Sequence, residues 1–441
     1  MKKTWDRGIL YDKVKKEVIE FISGKDIIAD KKLIKWDILA TIAHEMMLQK
    51  IGILTKQELN AILKELLKLY KNGIELKLEL EDVHSNIENF LIENLGDIGK
   101  KVHTAISRNE QVLVDLKLYM KNEIIEMSKK ILKLAYSLTK LAEKYKHSAM
   151  PGYTHRQQAM PYTFGSLLMS YFYSLMDDLE SLIATYHIIN KNPLGSGAGY
   201  GLPIDVDKKI TSELLGFEIV EYNSLYHITS RGKNQLLVLS DINQLMLDLN
   251  RMAEDFLMFS MKEFSFIELP DEYATGSSIM PNKKNLDVFE IIKGKSSTVI
   301  GNLVQVAATI KNLPSGYHRD LQETKMALME SVEIANGCLD ILTEIIGKIK
   351  VDEDKMKNSL DNSIFATHYA LSMIKEGKPY KEAYEIVGAK IKAGENIPKF
   401  DVKPDIGNYH SVLNEHSKEI IKIEMKFKNK IENLIKLAKN Y

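Results

Sequence analysis

The sequence predicts an all-α protein: a long central helical bundle flanked by smaller N- and C-terminal helical domains. Three observations predict it. All ten prolines of the 441-residue chain lie at or after Pro151, so everything before it lacks the residue that breaks helices most strongly. Residues 100–150 hold neither Gly nor Pro, and within them Met127, Ile131, Leu134, Leu138, Leu141 and Tyr145 recur at alternating steps of four and three. That is the stripe of one helix face. The chain also carries no βαβ alternation and no GxGxxG fingerprint, which removes a dinucleotide-binding sheet.

In chain order, a helix over 109–146 is about 57 Å long at ~1.5 Å per residue, well beyond the usual globular length. Further helical runs occupy 162–190, 233–263, 286–312 and 321–349, the last with Ile334, Leu339, Leu342, Ile345 and Ile346 on a broad apolar side. Long amphipathic neighbours bury their stripes against one another, so a bundle follows. Stripes of this length exceed what one chain covers, which favours an oligomer. Gly/Pro/Ser/Thr-rich loops punctuate the bundle at 147–166, 192–207, 268–285 and 312–325. The resulting division is an N-terminal helical domain over 1–108, the central bundle over 109–350 and a small C-terminal helical domain over 351–441.

Lys plus Arg equals Asp plus Glu at 60 each, so the net charge is near zero, against a general nucleic-acid binder. The single cysteine, Cys338, excludes an intramolecular disulfide and a thiolate zinc cluster, and its apolar-periodic surroundings point to core packing. The N-terminus is basic without an apolar h-region, and no stretch has the apolar length that crosses a bilayer. A cytoplasmic protein is expected, with no membrane partner.

Three stretches could carry chemistry. In "HTAISRNEQV" (103–112), Ser107 can cap the longest helix, whose N-terminus then offers amides and positive dipole to an anion, with Arg108 and Asn109 beside it. A plain N-cap with Glu110 in the first turn accounts for it equally. "MPGYTHRQQAMP" (150–161) is bracketed by prolines and reads as a rigid loop presenting Thr154, His155 and Gln157. "TGSSIMPNKKN" (275–285), followed by Glu290, is either a solvated turn or an anion site. Lys283 supplies a point charge for a carboxylate and Asn285 an amide donor. Ser277 or Ser278 can act as a base only if amides and cations acidify its hydroxyl. Together the three suggest a site for a small polyanion with one group able to remove a carbon-bound proton, and no cofactor or metal motif.

"GSSIMPNKKN" resembles the signature loop of the fumarase/aspartase superfamily. "PGYTHRQQAMP", "NPLGSGAGYGLPIDVDKKITSELLGF", "RMAEDFLMFSMKEFSFIELPDEYATGSSIMPNKKN" and "LPSGYHRDLQETK" resemble segments of its argininosuccinate lyase family, in order, from about residue 26 to about 390. The resemblance implies a fumarase/aspartase-like fold and a homotetramer whose active sites are shared between chains. It implies that Ser277 removes the Cβ proton of a succinyl group, leaving an aci-carboxylate held by Lys283 and Asn285. Ser107, Asn109 and Thr154 then match further fumarate contacts, with Arg108 between the first two, His155 the leaving-group acid, and Glu290 its relay partner. Asp30, Asp82, His84, Arg231, Tyr317, Gln322 and Lys325 sit where that family binds the amine half of its small-molecule substrate.

The departures are local. The family's "HTGRSRND" is "HTAISRNE" here, its "HTANE" is "HSNIE" at 84–88, and its "NSxDATSxRD" is "NSLYHITSRG", with Tyr226 and Gly232 in place of Asp. These put the amine moiety in question more than the reaction class. The alternatives are a C–N lyase for another N-substituted succinate and a catalytically silent structural homologue; an adenylosuccinate lyase matches over less of the chain.

Overall fold

The computed structural model describes residues 15–441; the N-terminal stretch read above for a targeting segment lies, over residues 1–14, outside the described residues. Short helices α1 (Lys16–Ser23) and α2 (Asp26–Asp30) lead into α3 (Ile34–Lys50), α4 (Lys56–Asn72) and α5 (Val83–Leu95). Next comes α6 (Arg108–Lys144), 37 residues and about 55 Å long. Strands β1 (Ala149–Thr154) and β2 (Gln157–Thr163) separate it from α7 (Phe164–Ile189). Beyond the short strand β3 (Lys191–Asn192) lie α8 (Lys208–Leu215), β4 (Ile219–Val220), α9 (Ser224–Thr229) and α10 (Arg231–Ser260). Then follow β5 (Ile267–Glu268), α11 (Asp287–Ile310), α12 (Glu323–Ile346), β6 (Lys350–Val351), α13 (Glu353–Asn358), α14 (Ala366–Lys375), α15 (Tyr380–Lys392) and α16 (Tyr409–Lys439). Over the described residues the chain is all-α apart from three two-stranded pairings, β1–β2, β3–β4 and β5–β6.

Five long helices, α6, α7, α10, α11 and α12, pack side by side as the central bundle. The stripe read from the sequence is its core: Met127, Ile131, Leu134 and Leu138 are each at most 1% exposed. Each such side chain contributes roughly 1.5–3 kcal/mol on burial. α3 behaves differently. It is buried on every side over almost its whole length, Asp37, Thr41, His44 and Glu45 included, which is why no single face can be read from it.

Two regions differ from the sequence expectation. Residues 150–161 form a hairpin rather than a loop. Pro151 and Pro161 stand opposite each other in its register, positions at which a missing N–H costs no ladder bond. The tail beyond residue 351 falls into two parts. Ile364, Phe365, Ala370, Met373, Ala383, Val387 and Ile397 make a small core of their own. α16 instead packs on α3, α4, α6, α7 and α8. Its Ile420, Ile423, Phe427, Ile431 and Leu434 recur at helical spacing and join the main core.

The bundle has two distinct ends. α6, α10 and α12 all start at one end, where Gly232 of α10 lies so close to Ile310 at the end of α11 that a Cβ would meet its Cγ2 at 2.3 Å. The β1–β2 hairpin and the 268–286 loop follow the far ends of α6 and α10. Among the described residues no helix is long and apolar enough to cross a membrane.

Candidate active site

At the first end, α5, α6, α10 and the 317–325 segment converge on a pocket of about 170 Å³. The pocket brings together Asp82, His84, Arg108, Asn109, Arg231, Tyr317, Gln322 and Lys325, residues separated by up to 243 positions in sequence (325 minus 82). Asp82 caps α5, accepting from the Ser85 N–H and hydroxyl at 2.8 Å each. Burial would raise its carboxyl, but His84, Arg108 and the Ser85 bonds outweigh that and hold it below the usual range. Arg108 lies 3.4 Å from Asp82 and 3.8 Å from Glu81, and also donates to the Ser85 hydroxyl.

Arg231 is 1% exposed. One amine group donates to Leu321 O at 3.1 Å, its guanidinium lies 5.7 Å from the Tyr317 ring, and Nε and Nη1 have no hydrogen-bond partner among the described residues. A buried guanidinium with free donors facing a pocket is a ready anion ligand. Lys325 is bridged by Asp30 at 2.5 Å and Asp26 at 2.8 Å. Desolvation opposes its charge, yet those two carboxylates win and raise it above the usual lysine value. Asp30 is wholly buried and also accepts from Val83 N at 3.1 Å, so it serves Lys325, while Asp82, with Asp26 and Glu81, is on the pocket wall. Gln322 donates to Asp26 at 2.6 Å.

Ser107 caps α6 in a capping box with Glu110, so the plain structural role read for it is real. The box also reaches outward. Glu110 accepts from Ser196 N at 2.7 Å, with the Gly195 and Gly197 amides turned toward it, and burial pushes its carboxyl up to about 7 despite those donors. Asn109 donates to Ala198 O at 3.3 Å. Gly195, Gly197, Gly199 and Gly201 all have positive φ, which is why "GSGAGYG" alternates glycine. This segment is thereby fastened to the N-terminus of α6. At Ala105 the chain holds φ 56° where the family pattern has glycine.

At the other end, Thr154, His155, Arg156 and Gln157 make the tip of the hairpin. Thr154 pairs with Gln157, and the two residues between have φ 53° and 61°. This is the two-residue turn that normally demands Asn-Gly; placing His and Arg there strains the backbone. Opposite, the 275–285 loop is pinched at its neck by Thr275 N to Asn285 O at 2.9 Å and Asn285 N to Thr275 O at 2.8 Å. Inside it, Ser277 Oγ accepts from Met280 N at 3.1 Å and Ile279 N at 3.4 Å. Amides aimed at a hydroxyl oxygen stabilise negative charge on it.

Of the paired lysines, Lys284 is bound to Leu269 O at 2.5 Å and Asp271 at 2.7 Å, and Lys283 stays exposed. Asn285 donates to Gly276 O at 3.3 Å. Glu290 is exposed on the first turn of α11, with no hydrogen bond to His155 among the described residues. The structure thus gathers Asp82, His84, Arg231, Tyr317, Gln322 and Lys325 in one pocket with Asp30 behind it on Lys325, and leaves Ser277, His155, Lys283 and Glu290 about one bundle length away within the same chain. Sequence reasoning missed Asp26, Asp37, Glu81, Asp115 and Arg319 around the pocket. The available signal was a charge inside an apolar run, as in "IKWDILATIA" and "QVLVDLKLY".

Residues 13–301 match a protein family described as lyase. Proteins named argininosuccinate lyase are 41% identical in Thermotoga neapolitana, over 88% of this chain and 98% of that protein. In Bacteroides fragilis the identity is 41% over 89% of this chain and 88% of that protein. Among solved structures, an EDDS lyase in complex with formate aligns at TM-score 0.80 and 20% identity, covering 97% of this chain and 96% of that one. A class II fumarase from Schistosoma mansoni aligns at 0.71 and 15%, covering 92% and 91%. The fold, the family match and these relatives define a lyase of the fumarase/aspartase superfamily. Within it, the chain belongs to the argininosuccinate lyase family, and is an enzyme of the carbon–nitrogen lyase class.

Proposed function

We propose that this protein cleaves argininosuccinate to arginine and fumarate, as a step of arginine biosynthesis in the cytoplasm. The observation that carries the reading is the pocket itself: Arg231 with unpartnered donors, Lys325, and the wall carboxylate Asp82. Cation donors suit the α-carboxylate of an amino acid, and a carboxylate suits a guanidinium. Relatives at 41% identity over most of the chain bear that name.

In the proposed step, Ser277 Oγ, acidified by the 279 and 280 amides and a nearby ammonium, takes a proton from Cβ of the succinyl group. The electron pair moves into the adjacent carboxylate as an aci-carboxylate, which Lys283 and Asn285 hold. Collapse forms the fumarate double bond and breaks the C–N bond, and the leaving nitrogen takes a proton from His155, oriented by Glu290. Ser107, Asn109 and Thr154 hold the fumarate half. The chemistry calls for no cofactor.

Within one chain the base and the pocket lie at opposite ends of the bundle, so the site is complete only if chains associate side by side with their bundles antiparallel. A homotetramer supplies this. Its bundle face would cover the groove of about 640 Å³ between α11 and α12, along with the exposed Ile291, Ile300 and Val304. A second reading, the same elimination on another N-substituted succinate, is favoured by Tyr226, which stands in the family's Asp position with Lys191 5.3 Å from its ring.

The test is fumarate release followed by ultraviolet absorbance, with Ser277→Ala alongside. Fumarate from argininosuccinate with wild type, and none with the variant, is expected. No release from argininosuccinate with release from another N-substituted succinate would replace the first reading by the second.

A further inference from the structure

Behind the pocket, three buried side chains that the proposed chemistry leaves unused meet in the core. They are Asp37 in the first turn of α3, His84 in the first turn of α5, and Asp115 in the second turn of α6. One oxygen or ring nitrogen from each lies within 4.8 Å of the others. His84 Nδ1 donates to Asp37, and the Thr41 hydroxyl donates to its other oxygen at 3.2 Å, so Asp37 is served as a carboxylate should be. Asp115 is not. It is 0% exposed, and neither oxygen has a donor among the described residues; His84 Nδ1 lies 3.6 Å from its Oδ2, too long for a hydrogen bond.

The surrounding charges do not supply one either. Asp26 and Asp30 on α2 are bound to Lys325 of α12, Asp82 at the start of α5 faces Arg108 of α6, and Arg231 of α10 bonds to Leu321 O. A buried carboxylate with no hydrogen-bond donor, whose nearest cation is a His84 already bonded to Asp37, is less stable ionised than as the neutral acid. The remaining partner among the described residues is the Asp37 carboxylate, an oxygen of which lies within 4.8 Å of one of Asp115; a hydrogen bond between two carboxyl groups exists only if one of them carries a proton.

We propose that Asp115 is a neutral carboxylic acid donating to Asp37, and that this pair fixes His84 as an imidazolium in the pocket wall. The surroundings agree. Burial, then the Asp37 and Asp30 charges, push the Asp115 carboxyl well above the usual range. Burial alone would lower His84, but Asp37, Asp82 and Asp30 together raise it. His84 then adds a third cation beside Arg231 and Lys325, where the carboxylate of the amine half would bind. This last step rests on the proposed function. Asp37 and Asp115 are positioning residues: they act through His84 and touch no substrate.

The test uses the full chain with Asp115→Asn, Asp115→Ala and Asp37→Asn. An acid whose folded pKa is raised keeps its proton while the unfolded chain loses it, so wild-type stability falls as pH rises through that window. Asn has no proton to lose. The melting temperature of Asp115→Asn should therefore gain on wild type between about pH 5 and pH 8, and a carboxylic-acid C=O band should vanish from the infrared difference spectrum. A melting difference that is the same at every pH overturns the proposal. So does a stoichiometric divalent cation retained by the purified wild type and lost in Asp115→Asn, since the same three groups would then be metal ligands.

In kinetics, Asp115→Ala should lower kcat/KM about tenfold and Asp115→Asn, whose amide still donates to Asp37, should recover most of it. Asp37→Asn should move the His84 limb of the kcat/KM profile to lower pH. Equal loss in the Ala and Asn variants overturns the positioning role. If no succinate is cleaved at all, the proposed function fails while the melting and infrared results still decide the state of Asp115.

Discussion

Lys283 and Lys284 are adjacent and alike in sequence, and the structure separates them. Lys284 closes the base of the loop through Leu269 O and Asp271, whereas Lys283 is exposed in the same loop as Ser277. Replacing Lys283 by Met should lower kcat/KM by roughly a hundredfold or more, the usual consequence of losing one preorganised donor to an anionic transition state. Lys284→Met should instead raise KM and make the 275–285 segment a preferred site for limited proteolysis, because the neck loses its tether. Equal kinetic loss without proteolysis in both variants would refute that division. Turn chemistry made Ser277, Lys283 and Asn285 legible in the sequence, since Gly, Ser and Pro among long helices need a reason. The partners of His84 were not legible. Nothing in the spacing of Asp37 and Asp115 tells that three different helices turn them toward one point.

Among the elements, the long helices were readable because their stripes keep one period: 109–146 was expected and Arg108–Lys144 is found. The hairpin was hidden, since its prolines and its His155–Arg156 turn violate the usual hairpin signals. α16 was hidden because its apolar residues are diluted by lysine and glutamate on the exposed face. The strained turn permits a direct check. Arg156 has φ 61°, a conformation that costs a non-glycine residue about 1–2 kcal/mol. Arg156→Gly should therefore raise thermal stability, by up to about 1 kcal/mol once glycine's greater unfolded-state entropy is counted. A loss of stability would mean that the Arg156 side chain, not the backbone, holds the tip.

At the scale of the whole molecule, the decisive geometry is the distance between the ends of the bundle. A chain with Ser277→Ala keeps a sound pocket, and a chain with Arg231→Met keeps a sound base. If sites are assembled from several chains, the two inactive variants, unfolded and refolded together, should regain fumarate release that neither shows alone. Refolded mixtures that stay silent while forming tetramers would place each complete site within one chain. A different consequence follows from the last helix. α16 fills the main core against α3, α4 and α6, and Tyr441 just beyond it bonds to Gln49 at 3.3 Å. The N-terminal helices consequently lack their covering layer until α16, about 360 residues beyond α3 in the chain (409 minus 50), has left the ribosome. Folding of this core waits on that late helix, and until then its apolar face is open to chaperones and to aggregation.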